Sequence, residues 1–262
     1  MNIKKEDLKA IFIVAGHGKS ISGDIKDNGA VSNGTTERRE ALEIAIDVIK
    51  NVKESNIIPN VRVYDVGVVF ELDLIEKISE VNSICKKEGY THKNSILVSI
   101  HLNSGGGKGV ESWHYINSEE SKTLGAYISD SVSKLVGINH RGDKDEKINR
   151  HGKLAIIHDT TPLACLIEAS FIDNEEEANI FKDEIKDDMY GIAIANGIYN
   201  YLGITVYALP YDDDDISEDE DLILKSCLYQ MKVLHLIGSK KMKYFAEKIG
   251  KQLRNIHPLL DN

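Results

Sequence analysis

Three apolar runs in this chain each end on an ionisable side chain followed by a turn, and that repeated ending limits the architectures open to it. Residues 11–15 (IFIVA) run into Gly16-His17-Gly18, residues 96–100 into His101 and Asn103, and residues 163–167 (LACLI) into Glu168. Short apolar runs bounded by turn signals read as strands buried on both faces. In open α/β sheets, polar residues at the carboxyl ends of such strands are where chemistry collects. Strands ending in His, His and Glu therefore point to one site at one edge of one sheet.

The segments between them alternate as an α/β chain requires. Residues 19–36 are polar and rich in Gly, Ser, Asn and Asp, a loop long enough to be functional or mobile. Helical periodicity starts at Thr35-Thr36-Glu37 and continues through Leu42, Ile44, Ala45, Val48, Ile49 and Val52. Thr35 or Thr36 serves as its cap, which puts Glu37 in the first turn. Residues 61–66 and 109–116 read as strands, and 154–157 as a short one before a Thr-Thr-Pro turn. Residues 72–87 and 118–136 read as helices, and 175–202 as a helical pair. The expected fold is α/β, a mostly parallel or mixed sheet with helices on both faces, plus a small C-terminal helical hairpin.

Composition divides the chain. Residues 1–203 hold the strand-helix pattern, and residues 204–221 form a linker whose stretch 212–221 carries eight acidic side chains. Residues 222–262 read as an αα-hairpin with eight Lys and Arg against two acidic residues, a charge of +6. Its apolar stripes need burial, on the main domain, on a second copy of the chain or on a target. The whole chain has a formal net charge of -10, which argues against a nucleic-acid partner. Three scattered cysteines make neither a disulfide framework nor a thiolate metal site. No run approaches a membrane span, and the N-terminal apolar run is too short for a signal-peptide core. Synthesis in the cytoplasm without a signal peptide is the expectation.

The ionisable strand ends suit one chemistry. Zinc used for hydrolysis takes three His or carboxylate ligands and keeps a fourth position for water. His17, Glu37 and His101 would supply two imidazoles and a carboxylate for one zinc ion per chain, and Glu168 would act as catalytic base on water and acid toward a leaving amine. Each has a plainer reading. A lone strand-end histidine is more often a loop residue, and Glu37 would be favourable through the helix dipole alone. Glu168 is harder to dismiss, because a carboxylate entering a buried edge needs a partner. Of the other histidines, His151 and His158 are candidate substrate contacts, and the rest read as structural or exposed. Gly18-Lys19-Ser20 resembles the end of a phosphate-binding loop, but that pattern needs glycine where Ile13 stands in a strand core. The glycine-rich stretch 104–109 reads as a flexible lip of the site.

At these same residues the chain resembles the zinc-dependent N-acetylmuramoyl-L-alanine amidases of the amidase-3 family, which cleave bacterial peptidoglycan. The likeness rests on four blocks in order: Gly16-His17-Gly18 with Gly29-Ala30; Glu37 with Leu42 and Ala45; the residues 99–104 (SIHLNS); and the residues 166–174 (LIEASFIDN). It covers roughly residues 8 to 202. It implies zinc on His17, Glu37 and His101, Glu168 as the catalytic acid-base, and hydrolysis between N-acetylmuramic acid and L-alanine. The loop between His17 and Gly29 is longer than the family's, and Lys77 stands where it has arginine. Without an export signal, a phage or prophage endolysin released by a holin-type partner, or a mother-cell lysin, is expected to reach the wall after release. The hairpin would serve as a homo-oligomer contact or a wall-targeting element. The alternatives are a non-catalytic peptidoglycan-binding protein and a zinc hydrolase of another amide.

Overall fold

Apolar residues without a single charge make Ala10–Ala15 a strand, β1, buried along its whole length. With β2 (Arg62–Val66), β3 (Ser95–Asn103), β4 (Val110–His114), β5 (His140–Asp145) and β6 (Leu163–Phe171) it forms a six-stranded sheet in the order β2-β1-β3-β6-β4-β5. The first four of these are parallel; β4 runs antiparallel to β6, and β5 is parallel to β4. β6, the last of these six strands in sequence, thus lies between β3 and β4. The structure is a computed structural model that describes residues 2–19, 26–149, 152–182 and 184–204. The acidic stretch 212–221, the helical hairpin 222–262 and His151 lie outside the described residues.

Helices cover both faces. Thr36 caps α1 (Glu37–Glu54), its hydroxyl accepting from the Arg39 N–H at 3.2 Å. Asp73 and Glu76 form a capping box on α2 (Leu74–Glu88), and Ser118 caps α3 (Glu119–Val132). Two one-turn helices, α4 (Ala155–His158) and α5 (Glu175–Ala178), precede the long α6 (Glu184–Tyr201). On one face Phe12, Val14, Leu97, Ala164 and Leu166 pack with Val81 and Cys85 of α2 and Ile156 and Ile157 of α4. The alternate residues of the same strands face α1 and α3. α6 lies against both α1 and α3. A Cβ at Gly191 would come 2.4 Å from Asp47 Cβ, and one at Gly197 2.4 Å from Ile128 Cα, so small residues set both helix approaches. No helix among the described residues is long and apolar enough to cross a membrane.

Two expectations change, and one strand appears that the sequence pattern did not mark. The strand expected over residues 154–157 is instead the helical turn Ala155–His158, because the Ile157 and His158 N–H groups close back on the Leu154 carbonyl and Glu146 accepts from the Leu154 N–H. A four-residue apolar run does not distinguish the two by periodicity. The polar stretch after β1 contains two short ladders, Gly18–Lys19 with Lys26–Asp27 and Val31–Ser32 with Thr35–Thr36. β5, with the sequence HRGDKD, shows no apolar alternation because it is an edge strand. The chain leaves β1 through α1 to β2 on one side and returns through α2 to β3 on the other. That reversal opens a crevice at the carboxyl ends of β1 and β3, the place where α/β sheets hold ligands.

Candidate active site

The chain leaves β1 through Gly16 and His17, and His17 has a left-handed backbone (φ 58°), a region that residues other than glycine seldom occupy. Lys77 holds this turn. Buried on α2, its Nζ donates to the carbonyl of Ala15 at 2.7 Å and to that of His17. Two glycines make room for the imidazoles and the carboxylate beside the turn. A Cβ at Gly16 would stand 2.8 Å from the His101 ring, and one at Gly29 (φ 61°) would stand 2.5 Å from Glu37 Oε2 and 2.6 Å from the His17 ring.

The histidines and Glu37 meet in that space. His17 Nε2 lies 2.8 Å, and His101 Nδ1 2.9 Å, from the same oxygen, Glu37 Oε1. The Leu102 N–H donates to that oxygen at 3.3 Å, and the Ala30 N–H to Oε2 at 3.0 Å. One ligand atom from each of His17, Glu37 and His101 lies within 4.8 Å of the others. The second nitrogen of His17, Nδ1, is 2.9 Å from Asp27 Oδ2, while Asp27 Oδ1 accepts from the Gly29 N–H at 3.1 Å.

Charge state follows from these contacts. Burial works against the His17 imidazolium, but the hydrogen bonds and charges of Glu37 and Asp27 prevail and raise its pKa to about 9. Burial also works against an ionised Glu37, yet hydrogen bonds from His101 and His17 hold it well below the usual carboxylate range. In His101 burial wins over Glu37 and lowers the pKa. Two imidazoles and one ionised carboxylate aimed at one point are the donor set zinc takes in sites that keep an open position. Asp27 stands where a metal-bound histidine usually finds its second carboxylate.

Glu168 comes from β6, in register with His101 of β3 on one side and with Glu111 of β4 on the other. Its Oε2 is buried without a hydrogen-bond partner. Burial first, then the charges of Glu37 and Glu111, push its pKa up to about 8. An orphaned buried carboxyl oxygen is costly unless something else completes it. The donor set and this orphan together fit a hydrolytic metal site.

Not every expected residue comes here. His158 pairs instead with Glu146, Nδ1 to Oε1 at 2.8 Å, with its ring 5.0 Å from that of Tyr115. The glycine-rich stretch 104–109 is tethered rather than loose. The N–H groups of Gly105 and Gly106 both donate to Asp173 Oδ2, at 2.7 and 2.8 Å, and that of Gly109 to Glu177 at 2.5 Å. Sequence reasoning also missed Asp27, whose signal was an Asp-Asn-Gly turn in a polar loop. It missed Glu111 too, whose signal was a charge inside an otherwise buried strand.

A family model described as N-acetylmuramoyl-L-alanine amidase matches residues 11–200. The endolysin of Bacillus phage SPP1 is 30% identical over 183 residues, 67% of this chain and 59% of that protein. The sporulation-specific N-acetylmuramoyl-L-alanine amidase of Bacillus subtilis (strain 168) is 28% identical, over 72% of this chain and 66% of that protein. The chain thus spans less than two thirds of the length of either relative. Among solved structures, the catalytic domain of CwlV, an N-acetylmuramoyl-L-alanine amidase from Bacillus (Paenibacillus) polymyxa var. colistinus, superposes with a TM-score of 0.60 at 25% identity. The likeness covers 76% of this chain and 100% of that one.

Proposed function

The chain belongs to the N-acetylmuramoyl-L-alanine amidase family, and from that premise we propose that it hydrolyses the amide joining the lactyl group of N-acetylmuramic acid to L-alanine in peptidoglycan. His17, Glu37 and His101 would hold one zinc ion. The observation that carries this reading is the convergence of His17 Nε2, His101 Nδ1 and Glu37 Oε1 beside the buried, unpartnered Oε2 of Glu168.

Zinc bound there supplies Lewis acidity toward the scissile carbonyl and toward water. Glu168 supplies the proton traffic. As a carboxylate it takes a proton from the attacking water while the new C–O bond forms, and as an acid it returns that proton to the amide nitrogen while the C–N bond breaks. Its high proton affinity, set by burial, suits both halves of the cycle. Glu37 stays ionised throughout, and Asp27 keeps the His17 ring oriented. The biological setting we infer is a lysin, from a phage or prophage or from a sporulating mother cell, reaching the wall through a holin-type partner or on lysis. The names of the phage and sporulation relatives support that setting.

The test is zinc content and turbidity loss of a purified wall suspension for the wild type, His101→Ala and Glu168→Gln. About one zinc per chain, lysis and newly exposed alanine amino termini are expected of the wild type. Glu168→Gln should keep the zinc and lose about 10²-fold or more in rate. A Glu168→Gln variant with near wild-type lysis would overturn the mechanism. Hydrolysis of an unrelated amide without wall lysis would move the substrate.

A further inference from the structure

Beside Glu168 the sheet carries a second charged cluster that the hydrolytic step does not use. Glu111, only 1% exposed, takes two cations on one oxygen: Arg141 Nε at 2.8 Å and Lys144 Nζ at 2.6 Å both reach its Oε2. Its other oxygen accepts from the neutral Asn103 side chain at 2.9 Å. Within the cluster one carboxylate faces two cations, in a chain whose net charge is -10, and the nearby Glu168 carboxyl, buried and protonated below about pH 8, feels both Glu111 and Lys144. Buried charge is unfavourable, and here the two cations are kept partly open: the Arg141 and Lys144 side chains remain 35% and 27% exposed. Aromatic rings hold both heads in place. The Arg141 guanidinium lies 4.7 Å from the centre of the Phe171 ring and the Lys144 ammonium 5.3 Å from that of Trp113. A rigid, half-exposed cation pair is how proteins prepare a site for a carboxylate.

Distance identifies which carboxylate. Glu111 is in register with Glu168, and Glu168 with His101, so the cations gather two strands from the metal-binding edge. At about 4.8 Å per strand that is about 10 Å. An extended peptide advances about 3.4 Å per residue, so a group one or two residues past the scissile amide, with its own side-chain reach, falls there. In the proposed substrate the acid of the sugar's lactyl group is itself the acyl half of the scissile amide. A free carboxylate at this distance therefore belongs to the peptide.

We propose that Arg141 and Lys144, positioned by Glu111, form an anion subsite that receives a free carboxylate of the peptide one or two residues beyond the scissile amide. The subsite rests on the amidase reading and sets its preference among peptides. It discriminates an acidic peptide from the same peptide with that carboxylate converted to a carboxamide.

The test uses the zinc-loaded full chain and two synthetic muramoyl peptides that differ only in whether the carboxylate of the second residue is free or amidated. The wild type should show a KM about tenfold or more lower for the free acid. Lys144→Met and Arg141→Met should each bring the KM ratio toward one, and Lys144→Arg should retain it. Lys147→Met, which removes an equal charge from an exposed residue paired with Asp145, should leave the ratio as it is. Equal KM values in the wild type, or a ratio unchanged by Lys144→Met, would overturn the subsite while hydrolysis of both peptides upheld the amidase reading. Hydrolysis of neither peptide would overturn both.

Discussion

His17 Nε2 lies 2.8 Å from Glu37 Oε1 and its Nδ1 lies 2.9 Å from Asp27 Oδ2, so one imidazole is held between two carboxylates. Both contacts are hydrogen bonds only when both ring nitrogens carry protons. In the metal-free chain a proton therefore occupies the place on Nε2 that a metal would take.

Zinc binding should expel that proton. With His17 raised to about 9, zinc affinity is expected to climb about tenfold per pH unit from roughly pH 7 to pH 9. Calorimetry at pH 7.5 in two buffers of different ionisation enthalpy should give about one proton released per zinc. A binding enthalpy independent of buffer would contradict the clamp.

Stability of the metal-free chain should fall as pH rises. Glu168 binds its proton more tightly when folded, so its stabilising contribution is lost between the ordinary carboxyl value of 4.5 and about 8. That of His17 is full below 6.5 and lost on the way to about 9. Glu37 has the opposite sign, contributing above 4.5 and losing its effect as pH falls. Urea unfolding at pH 5.5, 7 and 8.5 should show the decline, by up to about 1.4 kcal/mol per pH unit from each group. Glu168→Gln should flatten it below pH 8, and an unchanged slope in that variant would locate the proton elsewhere.

Asp27→Asn tests the outer support of the site. Its side chain is 49% exposed, so the fold should survive, and zinc affinity should drop about 10–100-fold. Competition against a chromophoric chelator measures this directly. Wild-type affinity in the variant would reduce Asp27 to a loop residue.

Gly197→Ala sets two effects against each other. Alanine favours a helix by about 1 kcal/mol over glycine. The new Cβ, however, would stand 2.4 Å from the Ile128 backbone, and overpacking of this kind costs about 1–3 kcal/mol or more. A net loss of stability of at least about 1 kcal/mol in urea is expected, and a gain would mean that α3 and α6 separate freely.

Legibility followed burial and type of signal. His17, His101 and Glu168 were visible because a charge at the end of a buried apolar strand breaks its own pattern. Glu37 was visible because Thr36 announced the helix start. Asp27 was hidden in a polar loop where an aspartate is ordinary. Lys77 stood on the apolar side of α2 as if it were one of its surface lysines, and only its two carbonyl partners reveal that it is buried. β5 carried no strand pattern because edge strands need charge more than alternation. Pairing between distant residues, such as Glu111 with Arg141, is a property of register, which one-dimensional periodicity does not contain.

The place of β6 bears on when this chain can act. Of the six strands it is synthesised last, yet it seats itself between β3 and β4, which share no ladder with each other. During translation, His17, Glu37 and His101 emerge long before Glu168. Until residues 163–171 are made, no strand is present to join the β2-β1-β3 ladders to the β4-β5 ladder. On the proposed mechanism, the acid-base residue and the strand that closes the sheet therefore arrive in the same step of synthesis.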